Sequence, residues 1–148
     1  MVVMTTPAVE TSRSPSLGWI SIPGGEGAPA IARRHARTQL DGEISDLSAS
    51  DACLIVSELV TNSVLHADVG IDRAVSLEVA LLGDNLRIAV SDPGSLRKPR
   101  LLPVDPAVPG GKGLQLVDRL CSAWGVTRDA VGTTCVWCEL QLDRALPS

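Results

Sequence analysis

Phenylalanine and tyrosine are both absent from this 148-residue chain, and Trp19, Trp124 and Trp137 are its entire aromatic content. A chain so poor in aromatics has no platform on which successive bases of a single strand can stack. Its core must be built from aliphatic side chains. A basic surplus is missing as well, since 13 Lys and Arg face 17 Asp and Glu for a net charge of −4. Phosphate-backbone binding requires the opposite balance, so no direct contact with nucleic acid is expected. The one basic cluster, Arg97, Lys98 and Arg100, reads as a solvated loop.

No apolar run approaches the roughly 20 residues of a transmembrane helix. Residues 1–16 are rich in Thr, Ser and Pro and lack the cationic start and apolar centre of a secretory signal. No membrane partner and a cytoplasmic location are therefore expected. Histidines are few, and neither His35 nor His66 has the neighbours of a metal site or catalytic triad. The four cysteines, Cys53, Cys121, Cys135 and Cys138, lie inside apolar segments, as reduced buried thiols do, and no disulfide framework is expected. Cys135 and Cys138 have redox or zinc spacing, yet residues three apart in a strand point to opposite faces. No second pair supplies further ligands, so neither role is expected.

What remains is enough for one domain with a real core. Its expected limits are residues 17–142, after a flexible leader at 1–16 and before a short tail at 143–148. Leu17 to Ile22 reads as a strand, and Ala28 to Leu40 as a helix with Ile31, His35 and Leu40 near one face. A long apolar helix follows to about Ala67, with Ser48 or Ser50 as its expected N-cap. Ala74 to Leu82 and Leu86 to Ser91 alternate apolar with polar or small residues around Gly83-Asp84-Asn85 and read as a hairpin. Between Pro93 and Pro109 lie five prolines, which block regular hydrogen bonding and predict a loop of lid-like length. Leu114 to Cys121 reads as a third helix, with strands near Trp124 to Thr127 and Thr133 to Leu142. This order predicts an α+β fold, a two-layer α/β sandwich with a mostly antiparallel sheet covered on one face by helices.

Four motifs are threaded through these elements. Glu58 and Asn62 sit four apart on the long helix and share a face. Alone they are an ordinary helix-surface pair; among apolar neighbours, a carboxylate and an amide oxygen can orient a hydroxyl or hold a hard cation. Asp92-Pro93-Gly94 ends the second hairpin strand. Gly110-Gly111-Lys112-Gly113-Leu114 leads into the third helix, where backbone amides and the positive helix end favour anions. Gly132-Thr133-Thr134 precedes the last strand.

In this order and spacing the motifs resemble those of the GHKL ATPase superfamily, in particular its small stand-alone histidine-kinase-like domains related to bacterial anti-sigma-factor serine/threonine kinases. The resemblance spans roughly Leu17 to Leu142. It implies a Bergerat-type ATP-binding fold, ATP or ADP as nucleotide, and Mg²⁺ ligated by Asn62. Glu58 is then the catalytic general base, and Asp92 accepts from the adenine exocyclic amine. Gly94, Gly111, Lys112, Gly113 and Leu114 lie along the nucleotide, and Thr133 or Thr134 bonds near adenine. Leu96 departs from the pattern, standing where the first glycine box usually has a second glycine.

The implied partners are a sigma factor and an anti-anti-sigma-like antagonist protein that receives phosphate on Ser or Thr, in a bacterial transcription-regulating role. The alternative is a nucleotide-gated interaction module with little or no phosphotransfer. A homodimer is also plausible, because mean hydropathy is +0.20 and the N-terminal strand and helix of related regulators pair across a dimer.

Overall fold

Alternation in one strand, Leu86, Ile88 and Val90 inward against Arg87, Ala89 and Ser91 outward, sets the two faces of the sheet. The computed structural model describes residues 16–66, 73–92, 111–128, 130 and 132–142. Five strands, β1 (Ser16–Pro23), β2 (Ala74–Leu82), β3 (Asn85–Asp92), β4 (Ala123–Arg128) and β5 (Thr134–Gln141), form one sheet in the order β1-β2-β3-β5-β4. Every neighbouring pair is antiparallel. Its register aligns Leu77, Val90, Val136 and Val126 in one inner row and Val79, Ile88, Cys138 and Trp124 in the next.

Helices α1 (Ala28–Leu40), α2 (Asp46–His66) and α3 (Gly111–Leu120) complete the fold. α1 buries Ala28, Ala32, Ala36 and Leu40, a stripe at spacing four. The expected face through Ile31 is wrong, for Ile31 is exposed. Ile31 lies one residue off the stripe of Ala28, Ala32, Ala36 and Leu40, and the helical period turns it about 100° from Ala32 toward solvent.

α2 is the central helix, and Ala52, Ile55, Val56, Leu59 and Val60 are wholly enclosed. It starts earlier than its expected caps, for Ser48 and Ser50 lie inside it. The Ser45 hydroxyl takes the capping role, accepting from the Ser48 backbone N–H at 3.1 Å. Buried Ile44 and Ala49 occupy the two positions of a hydrophobic staple around that cap. α3 likewise begins at Gly111 rather than Leu114, since first-turn amides lack intrahelical partners anyway. The expected leader, proline-rich loop and tail fall outside the described residues, apart from Ser16, which already belongs to β1.

The sandwich expected from the order of elements is what forms, with an aliphatic core between helices and sheet. No helix among the described residues is long and apolar enough to cross a membrane.

Candidate functional site

The buried stripe of α2 fixes its rotation and leaves Glu58 and Asn62 half-buried on adjacent turns at the flank of the core. The turn that carries Glu58 and leads to Asn62 is tied down from two sides. Thr61 Oγ1 donates to the Ser57 carbonyl at 2.7 Å, and Arg33 Nη1 of α1 donates to Ser57 Oγ at 3.0 Å.

Asp92 continues the inner-facing series of Leu86, Ile88 and Val90, so the pleat carries its carboxylate inward, where it is only 6% exposed. Directly opposite, in register, stands Thr134, the first residue of β5. Thr134 Oγ1 donates to the Gly132 carbonyl at 3.5 Å. Gly132 has φ of 94°, in the left-handed region that glycine enters without strain, and this turns the chain into β5. Thr133 is half-buried beside it.

Topology gathers the remaining candidates at the same end of the sandwich. β4 begins opposite Glu139 at the far end and finishes opposite Thr134. α3 ends at Leu120, three residues before β4 begins, so the start of this ten-residue helix, about 15 Å back along its axis, faces the Asp92 end. β1 also finishes at that end, Pro23 lying opposite Ala74 at the start of β2. α1 then runs away from it, and α2 returns, bringing Glu58 and Asn62 in its second half. Glu58, Asn62, Asp92, Thr133, Thr134 and the first turn of α3, which includes Gly111, Lys112, Gly113 and Leu114, therefore occupy one end of the molecule. Gly94 and the Arg97, Lys98, Arg100 cluster lie outside the described residues.

Residues 27–138 match the histidine kinase-like ATPase domain family. The chain belongs to that family. Among solved structures it is similar to a chain in the crystal structure of the SiaB-SiaC complex from Pseudomonas aeruginosa. The TM-score is 0.64 at 14% identity, covering 87% of this chain and 92% of that one, a likeness of fold. No curated protein matches the sequence. A histidine kinase-like ATPase domain binds nucleotide, and the end of the sandwich just described offers the chemistry for one. A buried carboxylate can only accept, as an amino group requires, and the start of a helix offers free amides to anions. Among the described residues, no three His, Cys, Asp or Glu side chains cluster in a way that would hold a metal ion by themselves.

Three contacts carry no signature in the sequence. Trp124 Nε1 donates to Asp118 Oδ1 at 2.9 Å, pinning α3 to β4, and this bond holds the Asp118 carboxyl below its ordinary value. Arg33 to Ser57 joins α1 to α2. The third involves the cysteines, all four of which are free thiols. Cys135 and Cys138 do face opposite ways, opposite outward Ser91 and inward Ile88. The thiol that meets Cys138 is Cys121, through a hydrogen bond that, with burial, pushes the Cys138 thiol far above its ordinary value.

Proposed function

We propose that this chain is an ATP-binding regulator of the anti-sigma type that phosphorylates an antagonist protein on Ser or Thr and sequesters a sigma factor. The observation that carries this reading is the convergence of Glu58, Asn62, Asp92, Thr134 and the start of α3 at one end of a histidine kinase-like ATPase fold. In this reading Asp92 accepts from the adenine amino group, and Thr133 or Thr134 completes that contact. The Gly111 to Leu114 turn binds the phosphates through backbone amides, and Gly94 borders the nucleotide from the preceding loop.

Asn62 holds Mg²⁺ through its amide oxygen. Bound there, the ion supplies charge neutralisation across the phosphate oxygens during transfer. A magnesium ion that takes most of its ligands from phosphate and water needs only one or two protein oxygens, so the absence of an acidic cluster among the described residues is compatible with it. Glu58 takes the proton of the attacking hydroxyl. That hydroxyl belongs to the antagonist, and the SiaB-SiaC neighbour, a fold of this kind in complex with a second protein, supports a protein partner.

A homodimer in the cytoplasm belongs to the same proposal. β1 is an edge strand and its Trp19 is 62% exposed, the kind of surface that a second copy covers. The test is transfer of γ-phosphate from Mg-ATP to a candidate antagonist. Labelled antagonist supports the kinase; bound nucleotide with no transfer to any candidate leaves a nucleotide-gated interaction module.

A further inference from the structure

At the end of the sheet where α3 meets β4, two cysteines far apart in sequence are held side by side. Cys121 closes α3, its backbone N–H donating to the Val117 carbonyl at 2.9 Å. The next residue, Ser122, donates both its backbone N–H, at 2.9 Å, and its hydroxyl, at 3.1 Å, to the Glu139 carbonyl. This clamps the Cys121-Ser122 step against the Cys138-Glu139 step. Both cysteines pack into the same aliphatic cluster, and the Cys121 thiol is the neighbour that, with burial, pushes the Cys138 thiol up. Cys138 is wholly buried, whereas Cys121 is partly open to solvent. Cys135 belongs to the other face of the sheet, and Cys53 lies on α2, its Sγ donating to the Arg33 carbonyl of α1.

We infer that Cys121 and Cys138 are a redox modification site, a dithiol that hydrogen peroxide converts to a disulfide. Cys121 is the sulfur a small peroxide can reach. It attacks one peroxide oxygen and the O–O bond breaks. The departing hydroxide takes the Cys121 thiol proton as water, leaving a sulfenic acid. Cys138 then attacks that sulfur, the S–O bond breaks, and the Cys138 proton leaves with the hydroxide as a second water. Two thiols have lost two electrons to one peroxide, and an S–S bond joins the end of α3 to β5. Burial keeps the oxidant from Cys138 until its neighbour is activated. The proposal is independent of nucleotide binding, although the elements it staples are those whose other ends carry Gly111 and Thr134.

The test treats the full chain with a small excess of hydrogen peroxide, alkylates it under denaturing conditions and maps the peptides by mass. The expected result is loss of two of the four thiols, a 121-to-138 linked peptide, and full reversal by dithiothreitol. Cys135→Ser should form the link unchanged, and Cys121→Ser, at a partly exposed position, should leave Cys138 reduced. Retention of all four thiols would overturn the inference, as would a Cys135-to-Cys138 link, or overoxidation of Cys121 without linkage. Because the peptide map is read on the wild-type chain, poor folding of either variant does not remove the test.

Discussion

Asp92 and Thr134 face each other across the β3–β5 pair, one ending its strand and the other opening it. A buried carboxylate is thus set beside a hydroxyl at the rim of the sheet. This juxtaposition needs residues 42 positions apart, and it arises because β5 crosses back to insert between β3 and β4.

Replacing Glu58 with Gln keeps the shape of a half-buried side chain and removes its basicity. Phosphotransfer to the antagonist should fall by about 10²- to 10⁴-fold, the usual contribution of a general base. Nucleotide affinity should stay within about twofold, since no binding contact to the base is assigned to Glu58. Single-turnover transfer and a parallel nucleotide titration read the two effects separately.

Gly132 adopts φ of 94° immediately before β5. Among the described residues nothing lies within 4 Å of where its Cβ would be, so Gly132→Ala tests backbone strain without a clash with them. It should cost about 1–3 kcal/mol of stability in urea unfolding. Because the turn positions Thr133 and Thr134, nucleotide affinity should weaken as well.

The Ser45 cap makes a contrast within one helix. Ser45→Ala should destabilise the protein by about 1 kcal/mol, because the Ser48 N–H loses its acceptor. Ser50→Ala, at an exposed position inside α2, should be close to neutral. Urea midpoints for the two variants decide between Ser45 and Ser50, one of the two cap positions that the residue pattern suggests.

His35 gives the fold a pH dependence. Its Nε2 is enclosed with no hydrogen-bond partner among the described residues, and burial lowers its pKa from 6.5. The unfolded chain therefore binds the proton more readily than the native one. The stability held by neutral His35 is full above about pH 6.5 and is lost as pH falls through the lowered native value. His35→Gln should flatten the decline of unfolding free energy below pH 6.5; an unchanged slope would place its origin elsewhere.

Strand periodicity made β2 and β3 legible, because Val75, Leu77, Leu86, Ile88 and Val90 alternate strictly. The α1 face is misread at Ile31, since hydrophobicity alone favours isoleucine inward while the buried stripe runs through Ala28, Ala32, Ala36 and Leu40. The α2 cap is misread because three serines, Ser45, Ser48 and Ser50, each satisfy the local rule, and the Ser48 N–H bond to Ser45 Oγ together with the burial of Ile44 and Ala49 separates them. Glu58, Asn62, Asp92 and Thr134 stood out as motifs, yet their meeting at one end depends on the β1-β2-β3-β5-β4 order, which periodicity does not encode. The Cys121 contact was invisible for a related reason. The CxxC spacing draws attention to Cys135, whereas the chain crossing brings Cys121 to Cys138.

Calorimetric titration of ADP and ATP, with and without Mg²⁺, into the wild-type chain, Asn62→Ala and Asp92→Asn tests the nucleotide site most directly. The account predicts Mg²⁺-dependent binding of adenine nucleotide to the wild type. Asp92→Asn should weaken it by about 10- to 100-fold, the loss of one charge-assisted hydrogen bond, and Asn62→Ala should abolish the Mg²⁺ dependence. Binding unchanged in both variants, or no binding by a demonstrably folded wild type, would contradict it.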